Sequence, residues 1–274
     1  MKSNHSNGSF MQIKLAAVSK IQVAILSLGL MLFVSTAIAE TPDADKHTGW
    51  NGTAGFGPIV FPKYTGGKSN RVWPVPLLSI NYDETFYVEI QRIGVYILAS
   101  DDKKIGLGIA AEPRFGFSGG DGARIAGMAT RRDSIEAGLT FDWDFDVIAF
   151  SVAYFGDVNR TSRGSSMRAS VYKQLLKNDR WDFGVLLGYD RMNAKVSNYY
   201  FGVTPSEATP SRPFYSPGAA GNVSLGLSGT YNFNKRNAIM FGVNSTRLGK
   251  SAADSPIVEV RRANVYYLGY GWTL

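Results

Sequence analysis

Arg262-Ala-Asn-Val-Tyr-Tyr-Leu-Gly-Tyr-Gly-Trp-Thr-Leu274 closes the sequence. From Asn264 onward one parity carries Tyr266, Leu268, Tyr270, Trp272 and Leu274; the other carries Val265, Tyr267, Gly269, Gly271 and Thr273. A period of two is the signature of a β-strand, with all the large apolar residues on one face and mostly small ones on the other. Two folds accommodate such a strand: an edge strand buried in a soluble sandwich, and the closing strand of an outer-membrane β-barrel. In the second case the spacing of Tyr267, Gly269, Trp272 and Leu274 resembles the signal read by barrel-assembly machinery, with Leu274 where Phe is usual.

The rest of the chain repeats the pattern. Clean alternation recurs at Ile105–Ala111, Ile135–Trp143, Trp181–Tyr189, Gly221–Phe233 and Ile239–Val243. Short polar turns are expected at 101–104, 144–146, 177–180 and 234–237, and long loops at 118–132, 157–165, 194–219 and 248–261. Short turns alternating with long loops are what an outer-membrane barrel shows. A sheet in lipid must close on itself, because each backbone polar group needs a partner inside the protein. The apolar pattern flips face near Gln91-Arg92, which reads as a bulge or as two short strands meeting. Pro74 and Pro76 interrupt another strand, and proline cannot donate to a ladder. The expected fold is therefore an all-β, closed antiparallel transmembrane barrel over residues 49–274, with 12 strands, or 10 if the proline-bearing segment 72–82 or part of 85–100 folds inward. Very little helix is expected.

Thirty Gly, fourteen Tyr and sixteen Phe suit such a barrel, and cysteine is absent. The formal charge is +7, of which three units come from Lys2, Lys14 and Lys20 in an acid-free leader. Residues 1–39 read as a secretory signal peptide: a polar basic stretch, an apolar run from Ile21 to Val34 too short to span a bilayer, and small residues Ala37 and Ala39 before cleavage at Glu40. Residues 40–48 would then form a polar periplasmic tail, and the destination is the outer membrane of a Gram-negative cell. Nucleic acid is not an expected partner of a chain secreted in this way.

Catalysis by a Ser–His or Asp–His pair needs an imidazole as proton acceptor. The chain has two histidines, His5 and His47. One lies in the signal segment and the other in the polar tail, so the mechanisms of barrel phospholipases, deacylases, palmitoyltransferases and omptin-type proteases are disfavoured. No Cys/His metal cluster is present either, and neither an enzyme nor a cofactor is expected. Glu112, Arg114, Asp182 and Asp190 fall on lumen-facing parity, with Arg168 close by in the order of strands. They read as a charge-paired filling or as the lining of a polar pore. Arg131, Arg132, Arg160 and Arg163 lie in outer loops, at the height where lipopolysaccharide phosphates would meet guanidinium groups.

Several motifs carry a family resemblance: Gly55-Phe-Gly-Pro58, Tyr64-Thr-Gly-Gly67, Arg71-Val-Trp-Pro-Val-Pro76, Tyr200-Phe-Gly-Val203 and Asp254-Ser-Pro-Ile-Val258. In this order the chain resembles the MipA/OmpV family of outer-membrane proteins, the MltA-interacting proteins, over essentially its whole mature length. The resemblance implies an outer-membrane barrel. It further implies, from one member, a scaffold linking a murein transglycosylase to a penicillin-binding protein; other members are discussed as antigens, adhesins or factors in antibiotic response. Tyr200, Phe201, Gly202, Val203, Asp254, Ser255 and Pro256 are the loop residues that carry the family motif. They are expected either to meet a partner or to fold over the barrel mouth. Two functions stay open: a periplasm-facing scaffold, and an outward-facing surface protein or small pore.

Overall fold

A computed structural model describes residues 49–274, so the expected signal peptide and the whole of the tail, residues 40–48, lie outside the described residues. Twelve antiparallel strands close into a barrel in chain order, with β1 hydrogen-bonded to β12. They are β1 (Trp50–Pro62), β2 (Asn70–Tyr82), β3 (Phe86–Glu89), β4 (Ile93–Ala99), β5 (Ile105–Arg114), β6 (Ser134–Phe145), β7 (Ile148–Asp157), β8 (Ser165–Lys177), β9 (Trp181–Met192), β10 (Ala220–Asn232), β11 (Asn237–Arg247) and β12 (Arg262–Thr273). The face flip at Gln91-Arg92 is resolved as a tight β3–β4 hairpin, which brings the count to twelve. Short turns and long loops alternate as expected. The loop after β9 contains helix α1 (Ala194–Phe201) and the loop after β11 contains the single-turn helix α2 (Lys250–Ala253).

Parity decides inside from outside. On β12, Tyr266, Leu268, Tyr270 and Trp272 face outward, while Val265 and Tyr267 are buried in the lumen. Leu274 sits just past the strand, and its N–H donates to the Gly52 carbonyl at 2.9 Å, fixing the end of β12 to β1. The four residues of the expected assembly signal thus divide between faces: Tyr267 and Gly269 turn inward, Trp272 and Leu274 outward. Rings gather at the turn end of the barrel, where Trp50–Tyr82, Trp143–Phe145, Trp181–Tyr231 and Tyr270–Trp272 lie with centroids 4.1–5.4 Å apart. Exposed Tyr154, Tyr189 and Tyr266 mark the loop end. Two aromatic girdles flanking an apolar band are what a membrane barrel presents to the two interfaces.

The abundance of Gly and Tyr has a packing reason. Inside the barrel, tyrosine rings lie flat over glycines on the neighbouring strand. A Cβ added at Gly94 would meet the Tyr87 ring at 2.3 Å, one at Gly184 the Tyr172 ring at 2.4 Å, and one at Gly242 the Tyr267 ring at 2.3 Å. Each ring covers the backbone that its glycine leaves bare, filling a narrow lumen without bending the wall. Gly242→Val should force the Tyr267 ring out of its place. Such overpacking costs on the order of 1–3 kcal/mol. The expected readout is a lower urea midpoint in detergent micelles, with the slope unchanged; an unaltered midpoint would show that the ring moves freely.

Candidate functional site

The functional geometry lies at the outer half of the lumen and over its mouth. Three arginines and three carboxylates meet there on the β4–β9 side. Arg114 reaches Glu136 through Nε at 2.7 Å and Asp190 through Nη1 at 3.4 Å. Arg168 donates to Glu136 at 2.6 Å and Asp190 at 3.4 Å, and also pairs with Glu112. Arg92, from the β3–β4 hairpin, donates to Glu112 at 2.9 Å. Ser166 Oγ adds a 2.9 Å bond to Glu136, which is only 1% exposed. Charges balance three to three, and each is tied to more than one neighbour or held by a buried pair. Buried ions are tolerated only when paired and hydrogen-bonded in this way.

The parity of the strands identified Glu112, Arg114 and Asp190 as inward-facing, and they do meet. Asp182 shares that parity but sits near the turn end of β9, accepting from Gln174 Nε2 at 3.0 Å, away from the network. Glu136 and Arg92 were missed. The first was legible, since it alternates with outward Ile135 and Ala137. The second was not, because it lies in the hairpin where parity breaks.

The opposite wall is apolar. Ile59, Phe61, Val75, Leu77, Met240, Val265 and Tyr267 pack together on β1, β2, β11 and β12. The lumen thus has one charged flank and one greasy flank.

Above it the long loops form a packed cap. The family-motif residues Tyr200, Phe201 and Val203 are buried; Tyr200 and Phe201 pack with Val196 and Leu248. Val203 joins Tyr64, Phe117, Ile125, Met128 and Ile257. Ser255 Oγ donates to the Phe201 carbonyl at 2.6 Å, tying the two motif loops to each other. Gly202 donates its N–H to Asn198 O, where a side chain would collide with that carbonyl. Asp254 accepts from Arg261 at 3.1 Å, and the Pro256 carbonyl from Arg124 Nη1 at 3.4 Å.

Arg131 corrects an expectation. It is buried: its guanidinium forms a fork with Glu207 at 2.7 and 2.8 Å and donates to the Tyr199 carbonyl at 2.8 Å. Its rings of contact are Phe117 and Tyr199. With its donors spent inside the cap, Arg131 is not placed to bind lipopolysaccharide. Arg132, Arg160 and Arg163 are exposed. Burial pushes the Glu207 carboxyl up, but the Arg131 fork and the N–H groups of Thr204 and Ala129 outweigh it and pull the pKa down to about 2. Tyr64 goes the other way, raised by burial and by its hydrogen bond to Glu259.

The family model described as MltA-interacting protein MipA matches residues 54–274. The chain belongs to the MipA family. It is 30% identical over 145 residues to outer membrane protein Omp26La of Vibrio anguillarum, and 29% identical over 145 residues to outer membrane protein OmpV of Vibrio cholerae serotype O1. Each match covers 53% of this chain and 55% of the relative, so the chain spans about half the length of the curated relatives it matches. Among solved structures it is similar to the CymD monoaromatic hydrocarbon channel, at 10% identity and TM-score 0.38, covering 83% of this chain and 89% of that one. It is similar to OmpT of Vibrio cholerae at 10% identity and TM-score 0.36, covering 86% and 100%. This MipA family member is an outer-membrane β-barrel.

Glu136→Ala should leave Arg114 and Arg168 short of a buried partner, at a cost on the order of 3–5 kcal/mol. The expected readout is a clear fall in the temperature at which the folded band on unheated gels is lost. The cap should respond to acid. Glu207 titrates lower in the folded protein than its ordinary 4.5, so its contribution is whole above about 4.5 and is lost as pH falls through about 2. Limited pepsin cleavage of loop 193–219 should therefore rise between pH 4.5 and 2, and Glu207→Gln should raise it already at pH 5.

Proposed function

We propose that the chain is a non-enzymatic, non-conducting outer-membrane anchor that holds murein-processing enzymes through its periplasmic turns. The observation that supports this reading best is the filled lumen. The six-residue charge network and the tyrosine–glycine layers commit the interior to packing apart from a cavity of about 100 Å³ beside the network, so the working surfaces are chiefly the two ends. The family description names interaction with MltA, and the resemblance noted from the sequence adds a penicillin-binding protein as a further partner. Both histidines precede residue 49, and among the described residues no cluster of His, Cys, Asp or Glu is grouped to hold a metal.

The periplasmic end offers ordered charged turns. At 100–104 the Ser100 hydroxyl and the Lys104 N–H both donate to Asp102, holding its carboxyl below the usual range. Lys104 bridges to Asp146 of the next turn at 2.8 Å. Lys103 and Asp146 adopt left-handed backbone, φ 57° and 64°, which fixes each turn tightly. At 178–180 the Asn178 side chain accepts from the Arg180 and Trp181 N–H groups. Preformed turns of this kind lose little entropy when a partner docks.

A second reading has its own support. The loop cap is built rather than loose, and Arg132, Arg160 and Arg163 remain free of it as candidate contacts for lipopolysaccharide phosphate. On this reading the protein acts outward, at the cell surface. A photo-cross-linking residue placed in turn at 101–104, 178–180 and 206–212 in intact cells separates the two. Adducts with a murein enzyme at the first two positions support the anchor, and adducts confined to 206–212 overturn it. Purified protein in planar bilayers should show no steady conductance; stable open channels would contradict a filled lumen.

A further inference from the structure

The β3–β4 hairpin leaves a gap in the barrel wall. β2 pairs with β1 along its whole length, Asn70 to Tyr82, but with β3 only from Ser79 to Tyr82. On the far side β4 reaches Ile93↔Ala111, whereas β5 runs on against β6 to Arg114. Above the hairpin tip at 90–92, no ladder joins β2 to β5 among the described residues. The uncovered edge of β2, from Leu78 to Val72, is about 20 Å long at ~3.3 Å per residue. It runs down from the loop end of the wall, with Val72 60% exposed on the outer face.

The sequence of both edges is matched to this gap. Thr85 N–H donates to Tyr82 O, so the even-numbered residues of β2 aim their backbone groups toward β3. Carried upward, that alternation points Pro74 and Pro76 into the gap. On β6, Ile135 gives its N–H to Asn159 and takes one from Val158, so both its backbone groups face β7. Its cross-strand partner Pro113 therefore also turns away from β6, into the gap. Three prolines thus remove three donors that hydrocarbon would leave unpaired. An edge treated in this way is suited to staying open.

Behind the gap lies a cavity of about 100 Å³. Its membrane side is apolar: Trp73, Phe61 and Phe115, the last two stacked at 6.2 Å across the opening. The opening is therefore stopped by side chains and not by backbone. Its inner side is polar. Gln91 Nε2 is a buried donor without a hydrogen-bond partner, and so is Arg71 Nε, although the same guanidinium pairs with Asp121 at 2.8 Å and donates to the Lys63 carbonyl at 2.6 Å through Nη2. Three carboxylates, Glu89, Glu112 and Asp190, also line the cavity. Arg92 and Arg168 neutralise Glu112, Arg114 and Arg168 neutralise Asp190, and Arg92 lies close enough to Glu89 to act on its charge. The volume admits a small head group and excludes a two-chain phospholipid.

We propose that this gap is a lateral binding site for a single-chain fatty acid taken from the membrane. Its carboxylate accepts from Gln91 Nε2 and Arg71 Nε, and its chain lies along the proline-bearing edge of β2 after Phe115 swings off Phe61. This site is independent of the periplasmic reading and would stand if that reading failed.

The test uses the full barrel in phospholipid vesicles with diazirine-bearing palmitate, the adducts being mapped by mass spectrometry. Adducts are expected at Trp73, Gln91 or Phe115, and excess unlabelled palmitate should suppress them. Adducts at Leu187 and Leu225, lipid-facing residues on the opposite wall, should persist. Gln91→Glu, which sets a carboxylate against a carboxylate, should lower labelling at the gap about tenfold, the worth of one charge-assisted hydrogen bond. Labelling by the uncharged diazirine hexadecanol should be unchanged. Gap adducts that excess palmitate does not compete away, or labelling no greater there than around the rest of the barrel, would overturn the proposal whether or not the variant folds.

Discussion

Closure of the backbone ladder is the constraint on which everything else in this protein depends. Hydrocarbon offers no partner to an N–H or a C=O, so a sheet that crosses it must pair its first strand with its last. Here β1 meets β12 in register from Thr53↔Thr273 to Val60↔Tyr266. The one interruption in that ladder falls beside Pro58, which has no N–H to give. Once the ring is closed, the period of two sorts each strand into a lipid face and a lumen face, and the remaining chemistry concerns what fills the lumen and what covers its mouth.

Two different solutions fill it. Toward the turn end, tyrosine rings lie over glycines, an arrangement that needs no charge and tolerates little change in volume. Toward the loop end, Glu136 sits at the centre of a three-arginine, three-carboxylate network that faces an apolar wall across the lumen. An ionic cluster of this kind is weak evidence for stability, because desolvation offsets much of the attraction. It does set orientation strictly, since each guanidinium must meet its carboxylates at fixed angles. The cap uses the same device one level higher. Arg131 and Glu207 form a buried fork that joins the loop after β5 to the loop after β9, with the Ser255–Phe201 bond adding the loop after β11.

This arrangement concentrates possible activity at three surfaces: the ordered turns, the outer face of the cap, and the lateral gap above the short hairpin. The gap stands apart from the other two because it breaks the rule that governs the rest of the wall. Its prolines show how the sequence limits the consequence, by withholding donors where no strand arrives to accept them.

The sequence by itself determined the barrel. Alternation in Arg262–Leu274 and its counterparts, with short turns between long loops, is a local property of the chain, and closure follows from the solvent. The same parity placed Glu112, Arg114 and Asp190 inside, and would have placed Glu136. Only the tertiary structure decided which of these charges meet. Asp182 has the right parity at the wrong height, and height depends on strand tilt and register, which no single strand encodes. Arg131 and Arg132 are neighbours in an outer loop, equally basic in sequence, yet one is buried against Glu207, 76 residues away, and the other is exposed. The reach of the β3–β4 hairpin is likewise a matter of where its neighbours end. A loop's fold and a wall's gap are set by contacts between distant segments, and a periodic pattern carries no record of them.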